Sequence, residues 1–187
     1  MKFSFYFLLT FLLFSCGEKQ KERVLPFIGH YDVEYKTVDG KEVTDTVYPC
    51  IPAFKFLNQD SAWVSSNDFD DKVWIANFFF TSCPTICPKM TSQMKRLSIL
   101  TRDLEKEVEF MSFSINSDND LPHVLRRYIA HNGITAKNWQ FFTGKPEAEV
   151  HLLGDENFLV NAREDLGSEG GYAHSEAFVL VDREGYI

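Results

Sequence analysis

The stretch TSCPTICPKM, residues 81–90, carries two thiols three residues apart, Cys83 and Cys87, each followed by proline. Two chemistries use such a pair. As a redox couple, the thiols close a disulfide once their Cβ atoms come within roughly 4 Å. The usual redox motif is Cys-x2-Cys, one residue shorter. As a metal claw, two thiolates are soft ligands that prefer Cu(I) or zinc. A structural zinc site wants four ligands, usually with a second Cys or His pair at short spacing. No such second pair occurs in the chain. Two thiolates and one distant imidazole suit copper better, because copper accepts three-coordinate sites.

Five histidines could supply that imidazole. His30 lies beside an expected hairpin, His123 and His131 lie at the two ends of one expected helix, and His151 lies late in a short helix. All four read as surface or packing residues. His174 has a different context. In GGYAHSEAFVLVD it follows a glycine pair and directly precedes an apolar run, and glycines let a loop take unusual turns across a sheet edge.

The elements around these residues can be read from periodicity. Residues 31–47 alternate partly and centre on Asp39-Gly40, which predicts a β-hairpin with a tight turn. Residues 54–66 predict two short strands about a turn. VWIANFFF (73–80) is apolar on both alternating sets except Asn77, the pattern of a strand at the centre of an α/β sheet. The Cys pair follows at once. Pro88 to Glu105 predicts a helix with Met90, Met94, Leu97 and Leu104 on one face. Further strands are expected at 108–115, 139–142 and 176–182, and helices at 121–133 and at 145–154, the last stopped by Gly154. This β-α-β-α-β-α-β order means an α/β layer fold. It puts the thiols at the C-terminal end of a strand, leading into a helix, where such sheets carry their sites. A helix N-terminus favours thiolate, so both sulfurs are expected to be partly exposed and easily ionised. Met90 and Met94 read as helix core. Asp118 and Asp120 read as a polar loop with a capping role. The chain stops at Ile187, where another strand should begin, so a truncated C-terminus is expected.

Composition sets the wider frame. The 187 residues suit one ordinary domain with a real core, at 44% apolar and 15% aromatic. A net charge of −8 without a basic stripe argues against nucleic acid. Residues 1–15 have one Lys, an apolar run from Phe3 to Phe14 and a small residue, the make-up of a signal peptide too short to span a membrane comfortably. The end, Leu13-Phe14-Ser15-Cys16, resembles a bacterial lipoprotein box, which makes Cys16 the lipidation site and 16–29 a charged tether. The domain proper is then 30–187, on the extracytoplasmic (periplasmic) face of a bacterial membrane. Cys50, in YPCIPAF, reads as a buried small hydrophobe.

TSCPTICP after a strand, then FSINSDNDLPHVLRRY, WQFFTG and HSEAFVLVDREG, together resemble the Sco/SenC family over residues 50–187. That resemblance implies a thioredoxin-like fold, here with the N-terminal hairpin as an extension. It implies copper, as Cu(I) or Cu(II), held by Cys83, Cys87 and His174, and a role in cytochrome c oxidase assembly. The family's Ser-Val-Asp-Pro is Ser114-Ile115-Asn116-Ser117 here, and the residue before the His, often Asp, is Ala173. The acidic position of that segment survives as Asp120, the candidate neighbour of the ligands. Thioredoxin-type oxidoreductases resemble one another in a late cis-proline facing the dithiol; here no proline follows Pro146 and the late loop offers His174. The leading expectation is a lipid-anchored copper chaperone whose partner is the copper-acceptor subunit of cytochrome c oxidase. The next is a thiol-disulfide reductase that keeps the acceptor cysteines reduced through the Cys83/Cys87 pair. A peroxide-removing or redox-sensing lipoprotein comes last.

Overall fold

The computed structural model describes residues 24–187. The expected signal peptide, Cys16 and the charged stretch 17–23 lie outside the described residues. Among the described residues no helix is long and apolar enough to cross a membrane.

In chain order the strands are β1 (Asp32–Val38), β2 (Lys41–Val47), β3 (Lys55–Asn58), β4 (Trp63–Ser65), β5 (Val73–Phe79), β6 (Val108–Ser114), β7 (Trp139–Thr143), β8 (Ala162–Glu164), β9 (Tyr172–His174) and β10 (Val179–Val181). The helices are α1 (Cys87–Leu100), α2 (Pro122–His131) and α3 (Glu147–Leu152). Six strands form one mixed sheet in the order β10-β5-β6-β7-β3-β4. Within it β5, β6 and β7 run parallel, and β10 and β3 pair antiparallel on either side. This is the α/β arrangement expected from the alternation of elements.

The hairpin forms as expected. Asp39 and Gly40 have φ of 52° and 74°, the two positive values a two-residue turn needs to match strand twist. Strands β1 and β2 form a sheet of their own, with every residue exposed.

Side chains alternate across the main sheet and fill both of its faces. On one, Phe79, Phe141 and Tyr128 of α2 meet edge to face or tilted, and the buried Met94 comes from α1. Asn77, the one polar residue of β5, accepts a hydrogen bond from Ser112, which in turn accepts one from Trp139 Nε1. A buried amide next to satisfied partners costs little. On the other face Phe54, Phe56, Phe78, Phe113, Phe142 and Phe158 form one aromatic cluster.

Four expectations need correction. Strand β5 is interior but lies one place from the β10 edge, and β6 and β7 hold the middle. Helix α1 ends at Leu100, because the Thr101 hydroxyl bonds the Leu97 carbonyl and the chain tightens into a 3-10 turn at Arg102–Leu104. The last strand is only Val179–Val181, while a short ribbon, β8–β9, was not foreseen. Gly154 does not stop α3. The helix runs on into a π-helical turn, Leu153–Asn157, that contains it.

The reason for that glycine is proximity. A Cβ on Gly154 would lie 2.6 Å from the Cβ of Ala162 in β8 and 3.2 Å from the Phe78 ring. Gly154→Ala is therefore expected to lower the unfolding free energy by about 1–3 kcal/mol through overpacking, against the gain that alanine gives in an open helix. Urea denaturation measures this, and a stabilised variant would contradict the close approach of α3 to β8.

Candidate metal centre

Strand β5 ends at Phe79, and the chain turns within four residues to deliver Cys83. The Cys83 N–H donates to the Phe80 carbonyl at 3.3 Å. Asp120 secures this turn from the side. It is 1% exposed and accepts from the Thr81 N–H, the Thr81 hydroxyl and the Ser114 hydroxyl. The capping role expected for this loop is absent: Leu121 precedes α2 without a side-chain cap. Asp120 serves the loop before the thiols instead, because its carboxylate accepts two bonds from Thr81 in that loop and a third from Ser114 at the end of β6. It bonds none of the three candidate ligands directly.

Helix α1 begins at Cys87 with Pro88 behind it, and Ile86 provides no side-chain cap. The first N–H groups of a helix lack internal partners. That of Cys87 points at Cys83 Sγ, 3.5 Å away. The sulfur of Cys83 thus caps the helix that Cys87 starts. A helix N-terminus also carries partial positive charge, which stabilises an anion there.

His174 arrives from the far end of the chain. It is the last residue of β9, opposite Ala162 in β8. Gly170 and Gly171, with φ of 90° and 83°, make the turn before it. A Cβ at Gly170 would strike the Phe80 ring at 2.9 Å, so the expected use of the glycine pair is realised. Tyr172 fastens the ribbon, its hydroxyl donating to Glu147 at 2.9 Å and its ring packed on Phe80 at 5.1 Å. The edge of the His174 ring meets Phe80 at 5.8 Å and 88°.

Cys83, Cys87 and His174 form one cluster with all ligand atoms within 4.8 Å of one another. His174 Nε2 lies 3.1 Å from Cys87 Sγ and 3.9 Å from Cys83 Sγ. Its Nδ1 sits 3.0 Å from the Ser175 carbonyl, which can only accept. That bond places a proton on Nδ1 and turns Nε2, the other ring nitrogen, to the sulfurs. Nε2 is then free to receive a thiol proton or a metal ion.

The two sulfurs are not equivalent, contrary to the expectation that both are partly exposed and easily ionised. Cys83 lines a cleft of about 460 Å³ with Phe80, Thr85, Ile86, Tyr172 and His174. Cys87 lies beneath and is 1% exposed. Burial pushes the Cys83 thiol up, but the bond to His174 and the N–H groups of Cys87 and Thr85 outweigh it and bring it to about 6. Burial pushes the Cys87 thiol far up. A backbone bond from Phe80 opposes this only in part, and the neighbouring Cys83 and Asp120 add to it. These opposite shifts favour one thiolate beside one thiol, since two adjacent anions in one apolar site repel.

The other sequence candidates fall outside the cluster. His30, His123 and His131 are exposed, and His151 Nε2 donates to the Ile115 carbonyl. Cys50 is exposed, not the buried hydrophobe expected, because Ile51 takes the inward position beside it. Met90 and Met94 are buried, as expected. The sequence reading missed Tyr172, Glu147 and Phe80. Only the aromatic at 172, two residues before the histidine, signals them, and strands of three residues leave no alternation to find.

The SCO1/SenC sequence model matches residues 42–187. The SCO1 protein homologue of Bacillus subtilis (strain 168) is 32% identical over 148 residues, 79% of this chain and 76% of its own. This chain belongs to the SCO1/SenC family. Two solved structures share its fold closely. The SCO1/SenC family lipoprotein of Bacillus anthracis str. Ames superposes with a TM-score of 0.67 at 32% identity, covering 73% of this chain and 80% of that one. BsSco, a member of the Sco family of cytochrome c oxidase assembly proteins with a disulfide switch, gives 0.65 at 32%, over 73% and 79%. The sheet and helices of this SCO1/SenC protein are the thioredoxin-like fold that the sequence motifs implied.

Two outcomes follow. Thiolate is the reactive form, so alkylation of Cys83 by iodoacetamide should rise through a midpoint near pH 6, with Cys87 modified far more slowly. Mass mapping against pH reads both, and an ordinary midpoint near the unperturbed 9.0 would remove the helix-capped thiolate. Asp120→Ala strands three donors and should cost about 1–3 kcal/mol for the unsatisfied buried groups. Thermal unfolding beside Asp120→Asn, which keeps one acceptor oxygen, tests this. Equal stability of Ala and wild type would show that Asp120 does not brace the loop.

Proposed function

We propose that this SCO1/SenC protein is a membrane-anchored copper chaperone. It delivers copper to the dinuclear copper site of cytochrome c oxidase during assembly, with Cys83, Cys87 and His174 as the ligands. The observation that carries this reading is the cluster itself: two sulfurs and one imidazole nitrogen, drawn from residues 91 apart in the chain, meet within 4.8 Å. Soft thiolates with imidazole select copper over hard cations. Three ligands fall short of a closed zinc site, which takes four.

The cargo is held and released by ligand exchange. Copper displaces the Cys87 proton on binding, since the thiolate is the ligand. His174 is pre-oriented, its Nδ1 proton occupied by Ser175. Cys83 faces the cleft, so an acceptor thiolate meets that sulfur first and replaces the ligands one at a time. Exchange with an incoming disulfide, which takes up two electrons while the thiolate–thiol pair gives up one proton, would oxidise Cys83 and Cys87 to a disulfide, remove both sulfur ligands and close the loading route.

A second reading rests on the inequality of the sulfurs. A cleft-facing thiolate above a buried thiol is also the order a thiol-disulfide reductase uses. The Cys83 thiolate would attack an acceptor disulfide and release one acceptor thiolate. Cys87 would then attack Cys83 Sγ and release the other, leaving the Cys83–Cys87 disulfide. The disulfide switch of the relative BsSco fits this reading.

For localisation we keep residues 1–15 as the signal peptide, Cys16 as the lipidation site, 16–29 as the tether and 30–187 as the domain, on the extracytoplasmic face of the membrane. The lipoprotein nature of the Bacillus anthracis relative supports this.

His174→Ala separates the two readings. The variant should lose copper affinity by about a hundredfold or more, beyond the ten- to hundredfold of an outer-shell partner, while Cys83 and Cys87 still oxidise to a disulfide. Metal titration of the reduced chain against a competing Cu(I) chelator reads the first, and thiol counting after mild oxidation the second. Unchanged copper retention would sink the three-ligand site.

A further inference from the structure

The β1–β2 hairpin is the part of the fold that the metal centre does not use. Among the described residues it is hydrogen-bonded to no third strand, and all of its residues are exposed. A lone two-stranded hairpin is marginal in water. This one is fixed at its base, where Phe27 and Tyr31 pack on Tyr48 at 5.1 and 5.7 Å and Phe27 packs on Tyr186 at 5.4 Å. Among the described residues neither of its outer edges is paired with another strand.

The geometry of β1 states what fits its edge. The two-residue turn makes Val38↔Lys41 the first ladder pair, and such a closing pair exchanges hydrogen bonds. By alternation Asp32, Glu34, Lys36 and Val38 point their backbone groups at β2. Val33, Tyr35 and Thr37 point theirs outward. An antiparallel copy of the same strand, related by a two-fold axis at Tyr35, meets those groups with its own. Val33 then faces the partner's Thr37, Tyr35 faces the partner's Tyr35, and Glu34 faces the partner's Lys36. Opposite charges directly across a strand pair stabilise it, and like charges oppose it.

The neighbouring registers that still match the outward groups move the axis to Glu34 or to Lys36. The first sets Glu34 against its own copy, although it also brings Asp32 opposite the partner's Lys36; the second sets Lys36 against its own copy and Glu34 against Val38; both shorten the ladder. The β2 edge has no such complement, since an axis at its central Thr44 sets Val43 against Asp45. On the face that carries Val33, Tyr35, Thr44 and Thr46 the one charged residue is Glu42, opposite Thr37 near the turn, and pairing extends that face across both hairpins. Charged residues on an edge usually block pairing. Here the register about Tyr35 pairs opposite charges and sets no like charges together, whereas each slipped register contains a like-charge pair.

We propose that β1 is a self-association edge, through which two copies of this chain pair antiparallel about Tyr35 and join their hairpins into one four-stranded sheet. The interface is isologous, as two-fold contacts are. One strand pair is a small interface, so the dimer is weak and concentration-dependent.

Sedimentation of the full chain in detergent, over a concentration series, tests this. Wild type should show a monomer–dimer equilibrium. Glu34→Lys keeps an attractive neighbour within the hairpin, since position 34 lies opposite Asp45, but sets Lys against the partner's Lys36. It should raise the dimer dissociation constant by about tenfold or more. The double variant Glu34→Lys/Lys36→Glu should restore wild-type association. In a Cys50→Ser background, Tyr35→Cys should form a disulfide-linked dimer under mild oxidation, because a narrow pair is about 5.5 Å apart. Val33→Cys, which faces the partner's Thr37, should not. A chain that stays monomeric at every concentration, a double swap that fails to restore, or equal cross-linking at 33 and 35 would each overturn the proposal.

Discussion

The contact on which the site depends is the approach of one imidazole nitrogen to two sulfurs, at 3.1 and 3.9 Å. The sulfurs are local to each other, set by a turn and the first residue of a helix. The imidazole is not. Holding it there takes a ribbon of two three-residue strands, a glycine pair with positive φ, a tyrosine–carboxylate bond to α3 and the face of Phe80. None of these is strong alone. Together they over-determine the position of one ring, which is how a donor set is organised before its ion arrives.

The same contact makes the two thiols unequal. Cys83 takes the N–H of Cys87 and the proximity of His174, so its anion is stabilised in spite of burial. Cys87 sits deeper, beside that anion and near Asp120, so its own ionisation is suppressed. On the proposed function, copper loading and disulfide formation would both draw on this state. A metal ion supplies the charge that lets the second thiol ionise, whereas a disulfide needs only the first thiolate to begin. Under the proposed function, the choice between holding metal and exchanging electrons would rest on what reaches the cleft, because the protein favours one thiolate either way.

The fold divides its labour between the faces of one sheet. Phenylalanine and methionine clusters fill both sides, and the few buried polar groups in β5, β6 and the loop after β5 are bonded to one another. Asp120 belongs to that set. Its three donors lie in the loop before Cys83 and at the end of β6, so the rigidity of the sheet is passed to the thiols by hydrogen bonds. Rigid packing of this kind transmits position with little slack. The hairpin stands apart from this frame and is tied to it only at its root.

Much of this could be read from the chain before any fold was known. The Asp39-Gly40 turn, the double-sided apolar strand before the thiols, Pro88 at the helix start and the alternation of strands and helices each rest on local chemistry, which a sequence states directly. So does the candidate triad, through motifs that resemble a known family. Burial and pairing are different, because they depend on what arrives from elsewhere. Cys50 is exposed and Cys87 sealed, though both are cysteines beside prolines. Gly154 lies within a helical turn and leaves room for Ala162 against it. Asp120 braces a loop 39 residues away rather than capping its neighbour. The order of donors along the chain was legible in the residues, whereas the 3.1 Å between a sulfur and a ring 87 residues later came only with the tertiary structure, since no local preference of the backbone encodes a distance between segments that meet by folding.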